Sequence, residues 1–188
     1  LWKKATASLL TAALLSGGTP GLSASAGAPV VSEAVSASAL AKDTAETAGE
    51  ISVSRKGSLL LISGKGALTA ATLKDTDFSE ITEVQVKAGI TAIGSGAFLD
   101  QKTIKKVSLP DSVLTIETNA FRGCETLEEI QFGSALKTIG SFAFYRCKSL
   151  TSLALPDSVK TLETGAFQEC TALKTAALGN GVKKLPIQ

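Results

Sequence analysis

The sequence has no histidine and no methionine, and among its 188 residues there is one tryptophan and one tyrosine. Without an imidazole, catalytic triads built on a histidine base, zinc sites that use histidine and charge switching near neutral pH are all excluded. The missing methionine leaves Leu1 as either the head of a trimmed fragment or an alternative bacterial start codon, and we favour the second. Long apolar runs are also lacking. The stretch from Ala5 to Leu15 is about half the ~20 residues that a membrane helix needs, so no stable membrane insertion is expected. Positive charge is scarce as well, with 19 Lys and Arg against 17 Asp and Glu.

What stands at the head of the chain explains part of that balance. Lys3 and Lys4, the short apolar stretch, the break at Gly17-Gly18-Thr19-Pro20 and the small residues Ala24-Ser25-Ala26 predict a secretory signal peptide over residues 1–26. Its removal takes two lysines and no acid, so 19 basic residues become 17 and match the 17 acidic ones. A neutral chain gives no support for nucleic-acid binding, which depends on surplus Lys and Arg against phosphates. No cysteine follows the apolar run to carry a lipid. Residues 27–50, mostly Ala, Ser, Val, Thr and Glu with no aromatic, read as a disordered linker.

Beyond them the sequence repeats. Phe98, Phe121, Phe144 and Phe167 stand 23 residues apart, each after an alanine, and Cys124, Cys147 and Cys170 keep the same step. A period this short predicts a solenoid, in which each unit is too small to bury a core and must stack on its neighbours. The apolar columns agree: Ile104, Leu127, Leu150 and Leu173; Val107, Ile130, Leu153 and Ala176; Leu109, Phe132, Leu155 and Leu178. A second set begins each unit, with Ile90, Val113, Leu136, Val159 and Val182, followed three residues on by Ile93, Ile116, Ile139, Leu162 and Leu185. L-x-x-L-x-L spacing ending in alternation is that of a short strand with one buried face. The second apolar pair predicts another extended piece across the coil, and the segment around Ala-Phe and Cys a tight helical turn carrying Phe inward.

Turn chemistry reveals a doubled period of 46 residues. Pro110-Asp111-Ser112 and Pro156-Asp157-Ser158 are strong turn formers. They alternate with Gly133-Ser134-Ala135 and Gly179-Asn180-Gly181. The fold class expected is a β-rich leucine-rich repeat solenoid of parallel strands and short helical turns. An N-terminal hairpin cap should occupy residues 51–80 and the repeats residues 81–188, the last of them incomplete. An array that stops midway through a unit exposes apolar columns, which predicts a truncated reading frame or end-to-end self-association.

Ile93-Gly94-Ser95-Gly96-Ala97-Phe98, Ala120-Phe121-Arg122-Gly123-Cys124-Glu125-Thr126-Leu127 and Leu153-Ala154-Leu155-Pro156-Asp157-Ser158-Val159 resemble the BspA-type leucine-rich repeat family of bacterial surface proteins. The resemblance runs from Ile81 to the C-terminus, and Gly57 to Leu68 looks like the strand pair that opens such arrays. Gln101 departs from it, standing where a cysteine is expected. What the resemblance implies is an exported or surface-attached protein that engages host or neighbouring-cell proteins or glycans through its solenoid face. It implies no catalytic residues and no cofactor.

Candidate ligand-contacting positions are those pointing out of the strand that holds the L-x-L alternation. Glu83, Lys106, Glu129, Ser152 and Thr175 form one column, and Gln85, Ser108, Gln131, Ala154 and Ala177 the other. Their chemistry changes within a repetitive frame, which suggests recognition on a concave face; the competing explanation is that Glu83, Lys106 and Glu129 merely pair across strands. Lys137, Lys160 and Lys183 make a row on the other extended segment that could meet an anionic polymer, or could be a solvated edge that discourages aggregation. The cysteines are expected to be buried free thiols, because stacked side chains point in parallel and a disulfide needs them to point at each other. Gly64-Lys65-Gly66 is no phosphate loop, lacking a glycine five positions before Gly64, and reads as a glycine-bearing hairpin. No nucleophile with its base and no metal set can be assembled, so an enzyme is not expected.

Overall fold

The structure, a computed structural model, describes residues 50–182. The expected signal peptide, the expected linker apart from Glu50, and residues 183–188 lie outside it.

Antiparallel strands β1 (Ser52–Lys56) and β2 (Leu59–Ser63) open the fold. They are joined by Gly57-Ser58, with Gly57 in the left-handed region at φ 62°. β3 (Gly66–Leu68) and the single turn α1 (Ala70–Leu73) complete the first coil. Each later coil contributes two strands: β4 (Glu83–Val86) and β5 (Ile90–Ile93), β6 (Lys106–Ser108) and β7 (Thr115–Ile116), β8 (Glu129–Gln131) and β9 (Thr138–Ile139), β10 (Ser152–Ala154) and β11 (Thr161–Leu162). β12 (Thr175–Ala177) follows.

These strands stack into a first sheet of order β1-β2-β4-β6-β8 and a second of order β11-β9-β7-β5-β3, with β10 and β12 as a separate pair. Apart from β1, every pairing is parallel. From β4 onward each is in the register the repeat demands, as in Val84 opposite Val107 and Val107 opposite Ile130. Because the side chains of a strand alternate between faces, that register sends Val84, Val107 and Ile130 into the core together, all of them buried.

Gly64 to Gly66 is not a hairpin. It is the corner where the chain leaves the first sheet for the second, β2 lying in one and β3 in the other. Gly64 has φ 122°, and a Cβ there would come within 2.3 Å of the Glu50 carbonyl oxygen, so the glycine serves a close backbone approach.

The Phe segments form the third side. They are successions of tight turns rather than a helix, and two positions per coil are left-handed: Gly96, Asn119, Phe142 and Gly165 in one row, Asp100, Gly123, Arg146 and Glu169 in the next. Alternate N–H groups therefore point to the following coil, and Phe98, Phe121 and Phe144 each donate to the carbonyl of Ala120, Ala143 and Ala166 at 2.8 Å. Held by this ladder, the four Phe rings stack face to face with centroids 5.0, 5.1 and 5.1 Å apart. Phe98, Phe121 and Phe144 are fully buried and Phe167 is packed against the core.

The 46-residue alternation has a hydrogen-bonding cause. Ser112 reaches back, donating to the Ile90 carbonyl at 2.8 Å, while Asp111 reaches forward and accepts from the Ser134 N–H at 2.6 Å and its hydroxyl at 2.9 Å. Ser158 likewise donates to the Leu136 carbonyl at 2.6 Å, and Asp157 accepts from the Asn180 N–H at 2.7 Å. One Pro-Asp-Ser turn thus clamps the coil on either side, and the intervening turn needs no clamp of its own. On the Phe side, Glu117 and Glu163 accept from the N–H groups of Ser95 and Ser141 at 2.9 and 3.0 Å. The acid of one unit type meets the serine of the other.

Candidate binding surfaces

The first sheet brings six of the expected ligand-contacting residues onto one outward face. Glu83 stands opposite Lys106, and Lys106 opposite Glu129; Gln85, Ser108 and Gln131 form the parallel row. Much of this row is engaged with itself. Lys106 pairs with Glu129 at 3.1 Å, Gln131 donates to Glu129 at 2.9 Å, and Lys87 donates to Gln85 at 2.8 Å. The Lys106 hydrogen bond, then that of Gln131, holds the Glu129 carboxyl below the usual carboxylate range. Pairing across strands is therefore present between Lys106 and Glu129, at a strength for exposed pairs of ~0–1 kcal/mol.

Ser152 and Thr175 are not on that sheet. They face each other on the β10–β12 pair, beside the exposed Ala154 and Ala177. No ladder joins β8 to β10. The break falls where Phe132 replaces the leucine of its column and meets Phe144 edge-on at 6.0 Å. The outward face is thus charged and amide-rich over β4, β6 and β8 and small beyond it.

On the second sheet, Lys137 and Lys160 stand just before β9 and β11 as adjacent exposed residues, the Lys160 N–H donating to the Lys137 carbonyl at 2.9 Å. Among the described residues neither makes an ion pair. Lys183, the third of that row, lies outside the described residues.

The cysteines are free, Cys124 and Cys147 buried and Cys170 partly so. Gln101 takes the corresponding place in its own coil, where Asp75 rather than a Phe stands 26 residues back, and its amide donates to the Leu99 carbonyl at 3.4 Å. Among the described residues no three His, Cys, Asp or Glu side chains could hold a metal ion. No helix among them is long and apolar enough to cross a membrane.

A further group escaped the sequence reading. On the turn side, Leu99, Arg122, Tyr145 and Gln168 form one column, and Phe142, Arg146 and Glu169 flank it. The guanidinium carbons of Arg122 and Arg146 lie 5.3 and 5.1 Å from the Tyr145 ring centre, and Phe142 meets that ring edge-on at 5.8 Å. Glu169 accepts from the Tyr145 hydroxyl at 2.5 Å and from Arg146 at 2.8 Å. The available signal was the one tyrosine of the chain, standing in a column otherwise occupied by Leu, Arg and Gln.

Solved structures share this architecture. A leucine-rich repeat protein of Eubacterium ventriosum is 26% identical with a TM-score of 0.51, over 67% of this chain and 41% of that one. One from Bacteroides ovatus is 20% identical with a TM-score of 0.56, over 77% and 43%. One from Bacteroides capillosus is 22% identical with a TM-score of 0.50, over 67% and 97%. The chain thus spans less than half the length of the first two. No curated protein matches it. The pattern of the family described as "BspA type Leucine rich repeat region" recurs six times over residues 74–187, and the chain belongs to that family.

Proposed function

We propose that this is an exported, surface-located binding protein that engages host or neighbouring-cell proteins or glycans through the outward face of its first sheet. The observation that carries the reading is a contrast within single strands. Inward positions hold only Val or Ile in β4, β6 and β8, whereas the outward ones run Glu83, Lys106, Glu129 and Gln85, Ser108, Gln131 on the same backbone. Packing explains the first set and leaves the second free to be set by a partner.

A second reading, a spacer that binds nothing and presents a further domain, is favoured by one feature. Lys106, Glu129 and Gln131 satisfy one another, and the small residues beyond them offer little to grip. Applying the purified chain to an array of glycans and matrix proteins separates the two. Binding that disappears in the Lys106→Ala, Glu129→Ala, Gln131→Ala triple variant supports the sheet face. Binding that persists in it removes that face from consideration, and an array with no signal favours the spacer.

A further inference from the structure

The turn-side cluster has three properties that packing of the solenoid does not require. The first is backbone cost. Phe142 sits at φ 56°, in a row whose other members are Gly96, Asn119 and Gly165, residue types that tolerate the left-handed region. A bulky aromatic at such a position is a rare conformation, and such strain tends to persist at functional sites.

The second is charge. Glu169 engages Arg146 and the Tyr145 hydroxyl, whereas Arg122 makes only a long, 3.5 Å hydrogen bond to the Asn119 side chain. Among the described residues Arg122 forms no ion pair, although Tyr145 holds its planar guanidinium in place. A pre-positioned fork of N–H donors matches the two oxygens of a carboxylate.

The third is composition. Leu99 is 43% exposed, one coil before Arg122 in the same column, and the two aromatic rings stand one coil beyond Arg122. Tyr and Arg beside exposed apolar surface is the makeup of protein-binding hot spots. A sugar ring would need an open aromatic face, and the two guanidinium groups stand against the Tyr145 ring.

We infer that Leu99, Arg122, Phe142 and Tyr145 form a docking patch for a protein segment that places an aspartate or glutamate beside an aliphatic or aromatic side chain. The carboxylate pairs with Arg122, and the apolar neighbour lies against Leu99 or Phe142. This rests on the reading of the chain as a binding module and gives it a second surface and a class of partner.

The test is selection from a random dodecapeptide library displayed on phage, with the whole chain as target, followed by titration of the dominant peptide in synthetic form. The expected peptides carry Asp or Glu next to Leu, Ile or an aromatic. Arg122→Ala and Tyr145→Ala should each weaken binding at least tenfold, and Arg122→Lys should weaken it too, since an ammonium cannot form the paired bonds. Changing the acid of the peptide to its amide should match the loss in Arg122→Ala. Melting temperatures near that of the parent would show that these substitutions leave the fold intact. Failure to enrich acidic peptides, equal binding to Arg122→Ala, or an acidic glycan taking the place of the peptides at Arg122 would overturn the patch. If the selected peptides lose binding only in the Lys106, Glu129, Gln131 triple variant, the patch fails while the sheet face stands. If peptides bind at Arg122 while the glycan and matrix-protein array signal persists in the triple variant, the sheet face fails and the patch stands.

Discussion

The thiol of Cys147 donates to the carbonyl oxygen of Phe121, 3.3 Å away and one coil back. Cys124 and Cys170 repeat the bond to Phe98 and Phe144 at 3.1 and 3.2 Å, so each cysteine fills the core and satisfies a backbone acceptor. Burial pushes the Cys124 thiol up to about 12 and the Cys170 thiol to about 11, and raises Cys147 further, with its two neighbours adding to the effect. A thiol-disulfide reagent at pH 8 should therefore label native protein slowly and at the partly exposed Cys170 first, and all three cysteines at once in guanidinium. The folded thiols keep their protons to higher pH than unfolded ones. Their contribution to stability is intact below the ordinary value of 9.0 and is lost as pH rises from there to about 12. Rapid labelling of Cys124 or Cys147 in the native state would contradict this placement.

Phe121 stacks on Phe98 at 5.0 Å and on Phe144 at 5.1 Å, and it is fully buried. Phe121→Ala removes a ring from the middle of a continuous stack, at a cost of ~3–5 kcal/mol in urea unfolding. Because each coil rests on its neighbours, the loss should also speed amide exchange in the coils of Phe98 and Phe144. A parental midpoint for the variant would mean that the column does not carry the core.

The inward columns were legible because each register position repeats one kind of side chain, as Val107, Ile130 and Leu153 do, and a repeat averages out local exceptions. The features that were not legible depend on what lies across a coil. Gly64-Lys65-Gly66 has the composition of a hairpin turn, and only the nearness of the Glu50 carbonyl shows that it is a corner. The break between β8 and β10 coincides with the edge-on contact of Phe132 with Phe144, which no count along the chain displays. The Arg122 and Tyr145 stack was hidden for another reason. The turn segment was expected to be a helical turn, and its two left-handed residues per coil break the helical spacing from which side-chain neighbours would be read.

Asp111 accepts two hydrogen bonds from Ser134, and these hold its carboxyl below the ordinary value of 3.8. Asp111→Ala should lower the melting temperature at pH 7 by about 2–4 °C, the effect of a lost turn contact in a chain of this size. A depressed folded value means the contribution is present above the unfolded value and lost as pH falls through the folded one. The gap between parent and variant should therefore hold from pH 7 down to the ordinary value and close below it. An unchanged gap at pH 2 would show that the carboxylate charge is not what the Ser134 turn uses.

Phe142 lies over Gly165, where an added Cβ would come within 2.4 Å of its ring, so the residue combines a left-handed backbone with a half-buried side chain. The backbone term costs ~1–3 kcal/mol. Burying a ring fully returns ~1.5–3 kcal/mol, and half-burial returns less. The two nearly offset. Replacing Phe142 by the asparagine that the preceding coil carries at Asn119 should change unfolding stability by no more than ~1 kcal/mol, because Asn tolerates the left-handed region. Phe144→Ala, two residues on in the buried stack, should cost ~3–5 kcal/mol. Comparable losses for the two would show that the Phe142 ring belongs to the core; a small loss for Phe142→Asn identifies an aromatic that the fold does not need for its stability.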